Sequence, residues 1–356
     1  MDHIVLQGFR FFGCTFEFLD CQSCLVEDCE LLFPTFARTL SDPSMPETWA
    51  SATRMTGDNN AIRRCHLAWA CGSGFAVSGR GNTIEDNKVH DVCWNGTLRH
   101  SAISLHAPDE REEPSGNAAR RNTVFNFGNV GISFQGHGTL IELNHVYNGG
   151  LACKDVSLIY TQLPGCSDSV VRYNWVHGCR TEEGGGLGIR GDDQTRGLIV
   201  HHNVVWDCGR DGIIVKGDFN KVYNNTVFGI GKDGQGGNAI NLHTAAEPAK
   251  PWRWQAPLLE RQNAHSEIFN NAAPAIVCDN RGKAFPESPN AANNYVGEDF
   301  QLAAAANLDF RPLPRSPLVD AGRAIPGYTD GFRGAAPDIG AYESGGENWK
   351  PGITWE

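Results

Sequence analysis

The sequence has no long apolar run and no excess of positive charge. No stretch of the 356 residues approaches the ~18 apolar residues of a membrane-spanning helix, so we expect no membrane partner. The formal net charge of −11 argues against a nucleic-acid partner, because nucleic-acid-binding surfaces are basic. The opening stretch MDHIVLQGFRFFG (1–13) shows no basic region followed by an apolar core, so no signal peptide is visible. It begins inside a predicted strand, which implies either a removed N-terminal segment or a first coil capped by another part of the chain.

A sustained helical period of 3.6 is missing too, and a longer repeat stands in its place. The segments VVRYNWVHGC (170–179), LIVHHNVVWDC (198–208) and KVYNNTVFG (221–229) share an Asn whose successive positions are 29 and 22 residues apart. Followed along the chain, this position is occupied by Cys29, Cys65, Asn87, Asn122, Asn144, Asn174, Asn203, Asn225 and Asn271. The shortest step is 22 residues, which indicates a coil of that length with insertions.

This period predicts an all-β chain folded as a right-handed parallel β-helix. Twenty-two residues are too few for a helical repeat, and each unit holds short β-branched strands broken by Gly, Asn and Asp. The recurring Asn fits a turn, where Asn tolerates left-handed backbone, and stacked coils would align the amides about 4.8 Å apart. The missing Leu pattern excludes a leucine-rich repeat, and the unit length excludes a propeller.

The repeat covers most of the chain, so we predict one elongated domain. The β-helix is expected over 1–300, with long insertions at 31–58, 107–120 and 245–265. The tail, 301–356, does not repeat and is apolar enough to need a surface to pack against, so we expect it to pack on the helix.

Twelve cysteines could indicate disulfides, but their spacing favours another interpretation. Cys179 and Cys208 follow the Asn of their coils by the same five residues, and Cys29 and Cys65 occupy the Asn position itself. Small apolar residues stacked inside a solenoid give this pattern, so we predict reduced, buried thiols. A bond between adjacent coils would also be within reach. No Cys-x-x-Cys pair has a partner at zinc spacing.

Two tail segments carry a family resemblance. DFRPLPRSPLVDAG (309–322) and PDIGAYE (337–343), following the Asn-rich coils, resemble the C-terminal end of extracellular right-handed β-helix proteins. That group contains polysaccharide lyases and glycoside hydrolases, including the chondroitinase-B and alginate lyase type. The resemblance implies a carbohydrate-active protein that is extracellular or periplasmic. It does not name a sugar, and no catalytic signature is matched residue by residue.

One outward position of the strands forms a column with unexpected charge. Aligning the strands places these residues in it: Ser78, His106, Gln135, Thr161, Arg190, Lys216, His243 and Asp279. Arg190, Lys216 and His243 would then lie side by side on consecutive coils, about 4.8 Å apart. They either pair with nearby acidic residues as a solvated ionic ladder or form a site.

A site of this composition suits β-elimination of a uronate-containing glycan. That reaction needs a cation near the uronate carboxylate, a base for the C5 proton and an acid for the leaving oxygen. Arg190 would hold the carboxylate, and Lys216, its pKa lowered by neighbouring cations, would act as the base beside His243. Epimerisation starts with the same proton abstraction and stays open.

Hydrolysis by two carboxylates is the alternative. Arg190-Gly191-Asp192 and Lys216-Gly217-Asp218 occupy equivalent positions in the alignment, so Asp192 and Asp218 are expected near each other, with Asp193 beside them. Such carboxylates could be an acid–base pair, could share a calcium ion, or could simply serve as turn residues. A slip of one residue between 188 and 193 would exchange the side chains that face the groove.

Several neutral and aromatic residues are candidate substrate contacts. We assign this role to His106, Gln135, Tyr160, Trp252 and Trp254. A second outward column holds His90, Phe125, Tyr147, His177, Trp206 and Phe228. It could stack sugar rings, but we favour a surface covered by the tail.

We therefore predict a polysaccharide-cleaving enzyme, first a lyase, with a hydrolase and a non-catalytic carbohydrate-binding β-helix as alternatives. Long insertions between coils favour an enzyme, because loops on one edge build groove walls. The expected partner is a poly- or oligosaccharide, the expected assembly state is a monomer, and no cofactor beyond calcium is suggested.

Overall fold

In a computed structural model of the protein, the chain winds through three long parallel sheets. The structure describes residues 2–35, 52–96, 100–107, 113–162, 164–181, 185–231, 237–244, 263–279, 283–285 and 289–355. Each coil contributes one strand to each sheet in the same order, and every neighbouring pair within the three sheets is parallel. The predicted parallel β-helix is confirmed.

The strands are short, as expected where turns recur within each coil. Sheet 1 contains Val5–Gln7, Leu25–Glu27, Ala61–Arg63, Thr83–Glu85, Ala118–Arg120, Leu140–Glu142, Val170–Arg172, Ile199–His201, Lys221–Tyr223, Glu267–Phe269 and Ala291–Ala292. Sheet 2 contains Arg10–Phe12, Glu30–Leu32, His66–Ala68, Lys88–Val92, Thr123–Phe127, His145–Gly149, Trp175–Cys179, Val204–Cys208, Thr226–Phe228, Ala272–Ala273 and Tyr295–Val296. Sheet 3 contains Glu17–Gln22, Thr53–Asp58, Phe75–Ser78, Ser101–His106, Val130–Gln135, Ser157–Gln162, Leu187–Arg196, Asp211–Asp218, Asn238–His243 and Ile276–Val277.

Outside these sheets, the described residues form an antiparallel pair, Leu302–Ala304 with Asp309–Pro312, and two short 3-10 helices, Pro164–Cys166 and Ala305–Asn307. No helix in the described part of the chain is long and apolar enough to cross a membrane. Two strands lie inside stretches predicted as insertions: Thr53–Asp58 within 31–58, and Ala118–Arg120 within 107–120. The segments that leave the coils are therefore shorter than the sequence suggested.

Alternate residues of each strand point into a continuous apolar core. In sheet 2, Val146, Val176 and Val205 are fully buried and lie opposite one another on consecutive coils. Like residues in register interdigitate along the axis, so each coil buries its apolar side chains against the next. The cysteines follow the same rule, since Cys179 and Cys208 are buried register partners and all twelve cysteines are free thiols.

A ladder of buried asparagines lies at the turn between sheets 1 and 2. Asn144 donates its backbone N–H to Asn174 Oδ1 over 2.8 Å and its side-chain amide to the same oxygen over 3.0 Å. Asn174 repeats both bonds with Asn203, and its amide also donates to the Ile141 carbonyl of the preceding coil. The pattern continues through this set: Asn87, Asn122, Asn144, Asn174, Asn203, Asn225, Asn271 and Asn294. The predicted amide ladder is confirmed.

The backbone role expected for these asparagines was wrong. The residue with positive φ is the one before the ladder, for example Tyr173 at 54° and His202 at 53°, and not Asn174 or Asn203. The asparagines are selected instead for their side chains, which satisfy buried peptide groups that the turn leaves without strand partners.

The second aromatic column forms a continuous stack on the outer face of sheet 2. Ring centroids of consecutive members are 4.0 to 6.1 Å apart with interplanar angles of 3° to 14°, and the members are His90, Phe125, Tyr147, His177, Trp206 and Phe228. Because each ring face packs against the next ring in the column, these faces are not free to bind a sugar ring. The tail covers one end of the stack, where the ring centroid of Phe310 lies 5.0 Å from that of Trp206. The predicted cover is confirmed there.

The ladder should be a main source of stability. Replacing Asn174 by Ala leaves the Asn144 N–H and two neighbouring carbonyls without partners in the interior, which should cost about 3 kcal/mol in the free energy of unfolding. Denaturant unfolding measures the change, with Asn307→Ala, an exposed position in a 3-10 helix, as the matched control. An equal, small effect for both variants would contradict this role.

Two histidines should make the fold sensitive to acid. Burial lowers the pKa of His145 to about 4, and burial together with His145 lowers the pKa of His177 to about 3. Both values lie below the ~6.5 of an unfolded chain, so stability is fully present above that pH and is lost progressively as the pH falls toward the folded values. His177→Phe keeps the stacked ring but cannot titrate. We expect its melting temperature to fall less between pH 6.5 and 4 than that of the wild type, and an unchanged slope would oppose this assignment.

Candidate active site

The outward positions of sheet 3 form two adjacent rows of side chains, which are polar except for Ile214. The arginine row, as we name it, contains Ser104, Ser133, Tyr160, Arg190, Ile214 and Asn241. The lysine row contains Ser78, His106, Gln135, Gln162, Asp192, Lys216 and His243. Gln162 belongs to it because it follows Tyr160 by two residues, as Gln135 follows Ser133 on the coil before.

The predicted single column is correct at some positions and wrong at two. Ser78, His106 and Gln135 are register partners, and Lys216 lies opposite His243, as predicted. Thr161 is buried and faces inward. Arg190 belongs to the arginine row, opposite Tyr160 and Ile214, so it does not lie directly beside Lys216 in register.

The sequence alignment placed this strand two residues out of register, because it matched the Arg/Lys-Gly-Asp pattern shared by the two strands. Beyond Arg190, the strand Leu187–Arg196 contains a bulge. Gly191 lies opposite Val215 and Thr195 opposite Gly217, so three residues of one strand face Lys216 alone. Gly217 has a φ of +97°, and a Cβ there would lie 1.9 Å from the Thr195 carbonyl oxygen, so only glycine fits. Thr195 Oγ1 also donates to the Lys216 carbonyl, which fixes the lysine backbone against the bulge.

The carboxylate of Asp192, which directly follows Gly191, lies between two cations. Its Oδ2 lies 2.5 Å from Arg190 Nη2, and its Oδ1 lies 2.5 Å from Lys216 Nζ. The Asp192 side chain is only 6% exposed, against 8% for Arg190 and 19% for Lys216. Two exposed carboxylates complete the cluster: Asp155, 2.9 Å from Arg190 Nη1, and Asp193, 3.4 Å from Lys216 Nζ.

The charges of the cluster determine its protonation. Burial opposes ionisation of Asp192, but Arg190 and Lys216 outweigh it and hold the pKa of its carboxyl below the usual value. Burial likewise acts against the Arg190 cation, but Asp192 and Asp155 raise its pKa above normal. Burial and the Asp192 charge raise the pKa of Tyr160, so its hydroxyl stays protonated and donates to Gln162 Oε1 over 2.8 Å.

His243 adds an uncharged ring beside this charged cluster. Burial, and then the positive charge of Lys216, lower the pKa of its imidazole below 6.5, so the ring is neutral at pH 7. Its Nδ1 is buried and makes no hydrogen bond to any described residue, and the same holds for Arg190 Nε. Buried polar atoms without partners are costly in a finished fold and are typical of sites that bind a ligand.

The carboxylate pair expected for hydrolysis is not formed. Asp218 lies opposite Arg196 in register, and its Oδ1 accepts the N–H of Ala264, whereas Asp192 lies opposite Gln162. The equivalence of Arg190-Gly191-Asp192 with Lys216-Gly217-Asp218 was therefore wrong, because the register pairs Arg190 with Ile214 and, after the bulge, Arg196 with Asp218. Asp193 is 55% exposed beside Lys216.

The described residues offer no suitable set of ligands for calcium. No group of three or more His, Cys, Asp and Glu side chains among them could hold a metal ion. The Lys216 ammonium already occupies the position between Asp192 and Asp193 where a cation would be attracted.

The predicted substrate contacts are placed unequally. His106 forms a hydrogen bond with Gln135, and burial lowers its pKa despite that bond, so this pair is uncharged. Tyr160 lies next to Arg190, whose guanidinium carbon is 5.7 Å from the centre of its ring. Trp252 and Trp254 fall outside the described residues. Sequence reasoning missed Gln162 and Asp155; the Gln that ends the strand VSLIYTQ was a signal for the first, and none marked the second.

Comparison with known proteins agrees with this architecture. Residues 51–227 match the model of the right handed beta helix region. The structure superimposes on pectate lyase Pel9A with a TM-score of 0.60 at 16% identity, covering 96% of this chain and 87% of that one. It superimposes on the PL6 family polysaccharide lyase Pedsa3628 from Pseudopedobacter saltans with a TM-score of 0.58 at 13% identity, covering 99% and 83%. No curated protein matches the sequence.

The chain is a right-handed parallel β-helix protein. The resemblance to the β-helix group that contains polysaccharide lyases is confirmed, and at these identities the likeness is one of fold.

Asp192 should hold the charged cluster of the β-helix together. Asp192→Asn leaves Lys216 and Arg190 without their shared counter-ion, which should lower the free energy of unfolding by roughly 3 kcal/mol. Asp193→Asn, an exposed neighbour with the same change in charge, is the control and should cost under about 1 kcal/mol. Denaturant unfolding at neutral pH compares them. Equal effects would show that burial of Asp192 does not matter.

Proposed function

We propose that this protein cleaves a uronate-containing polysaccharide by β-elimination at the cluster of Arg190, Asp192, Lys216 and His243. One observation carries the proposal: a pair of cations, fixed by one buried carboxylate, lies next to a neutral imidazole whose Nδ1 has no hydrogen-bond partner among the described residues. The reaction needs electrophilic stabilisation and a base side by side, and this arrangement supplies both.

The cations would bind the uronate carboxylate. Arg190, Lys216 and Asp192 together leave one net positive charge in the buried part of the cluster. Arg190 offers its planar guanidinium, whose Nε lacks a partner among the described residues, to a second carboxylate. Because Asp192 already fixes both cations, little side-chain entropy is lost when the substrate binds.

We assign the base to His243, whereas the sequence predicted Lys216 in this role. Among the described residues, the charges in contact with Lys216 are the carboxylates of Asp192 and Asp193, and not the cations that were expected to make it a base. His243 is neutral and lies opposite Lys216 on the next coil, one strand spacing of about 4.8 Å away. A neutral imidazole can accept a proton at pH 7.

The elimination transfers one proton from the substrate to the protein and one proton from the protein to the leaving group. The C5–H bond breaks and its proton passes to His243, while the electron pair forms the C4–C5 double bond and the C4–O bond breaks. Lys216 donates a proton to the leaving oxygen, and Arg190 stabilises the charge that develops on the uronate carboxyl group. The products are a new reducing end and an unsaturated uronate. A polymeric substrate of this kind fits an extracellular or periplasmic location and a monomeric enzyme.

The unsaturated product gives the test. Ultraviolet absorbance with a panel of uronic-acid polysaccharides should rise for the wild type, and kcat should fall about 10²–10⁴-fold in His243→Gln. Lys216→Met should lose activity as well, and His3→Gln, an exposed histidine of the first coil, is the matched control that keeps it. New reducing ends without ultraviolet absorbance would contradict elimination and point to hydrolysis.

The pH profile tests the base separately. His243 must be neutral to act, and its pKa is lowered, so kcat/KM should rise with pH along a limb that lies below about 6.5. That limb should disappear from the residual activity of His243→Gln. If it persists unchanged in this variant, His243 is not the base.

A further inference from the structure

The charges on the outer face of sheet 3 are concentrated on two neighbouring coils. Arg190, Asp192 and Asp193 lie on one, and Lys216 lies on the next. Asp155, which contacts Arg190 from the preceding coil, extends the charged region by one. On the N-terminal side of this region, the next described positions of both rows are uncharged.

Four consecutive coils show this neutrality. From Phe75–Ser78 to Ser157–Gln162, the outward positions are Ala76, Ser78, Ser104, His106, Ser133, Gln135, Tyr160 and Gln162. His106 is the one histidine among them, and it is uncharged at pH 7 because burial lowers its pKa. The next charged pair in the arginine row, Arg54 with Glu17, lies beyond Ala76 and neutralises itself.

These neutral positions suit sugar hydroxyls and not a series of carboxylates. Serine, glutamine and tyrosine side chains donate and accept hydrogen bonds as hydroxyl groups require. A carboxylate bound against them would lose water without gaining a counter-ion, which is unfavourable. A second uronate adjacent to the first would also meet the exposed carboxylates of Asp155 and Asp193, which are 63% and 55% exposed.

We propose that the substrate alternates uronate with neutral sugar, so that one carboxylate reaches Arg190 and Lys216, a neutral sugar lies next to it, and the uncharged part of the two rows meets fewer carboxylates than a homopolymer would bring. This inference rests on the proposed function, because it concerns the glycan cleaved at the same site. It adds what that function leaves open: the sugars next to the uronate.

Paired substrates that share a uronate give the test. Polygalacturonate is compared with a backbone alternating galacturonate and rhamnose, and polyglucuronate with a backbone alternating glucuronate and N-acetylglucosamine. The ultraviolet absorbance of the unsaturated product gives kcat/KM for each. We expect kcat/KM to be at least about fivefold higher for the alternating member of the pair that is cleaved. A preference for the homopolymer would overturn the inference while leaving elimination intact, whereas no unsaturated product from any glycan would overturn both.

A substitution that adds a charge to the lysine row tests the inference in a second way. Gln135→Lys adds a cation to the neutral part, so the preference should move toward the homopolymer by several-fold. Gln301→Lys, an exposed tail position, makes the same change in net charge away from the sheet and should leave the ratio unchanged. An equal shift in both variants would show that overall charge, and not the row, sets the preference. A shift in neither would likewise contradict the inference.

Discussion

The coils from Asn87 to Asn294 are held in register by side-chain hydrogen bonds to peptide groups that the turns would otherwise leave unpaired. Between sheets 1 and 2 the chain bends sharply, and peptide groups at the bend are buried without strand partners. The asparagine ladder satisfies them: each amide bonds one coil below and one above, so Asn174 connects Ile141 to Asn203. Because burying an unpaired peptide group costs as much as a hydrogen bond contributes, the ladder fixes where each coil can lie. The alignment of side chains on the outer faces depends on it.

The candidate site arises where this regularity is interrupted. Up to Gly191 the strands Leu187–Arg196 and Asp211–Asp218 are in regular register, and continuing that register places Asp192 opposite Lys216. Cations on adjacent coils there share one buried carboxylate. The bulge that follows, before Thr195, adds Asp193 beside Lys216, and the glycine at 217 allows the close approach of the strands that this needs. Towards the N-terminus, the same scaffold supplies uncharged rows.

The sequence was sufficient for the fold because the fold is a repeat. The Asn recurs at the ladder position from Asn87 to Asn294, and inward valines recur beside it, so an error at one coil is corrected by the others. The site could be predicted only in part. Lys216 and His243 are neighbours in register because their strands are regular. Arg190 and Asp218 were misplaced because the Arg/Lys-Gly-Asp pattern aligned their strands two residues away from the true register, and the bulge that follows has no periodic signal. The proposed base is His243 and not Lys216, since the carboxylates that face Lys216 follow from that register.

The central claim is that Arg190, Lys216 and His243 catalyse elimination and not hydrolysis. The most direct measurement is the mass of the products released from a defined uronate-containing oligosaccharide. Elimination predicts a fragment with an unsaturated end that is lighter by one water than its hydrolytic counterpart, and its loss in His243→Gln. Fragments that have each gained the elements of water, formed at an equal rate by the variant, would contradict it.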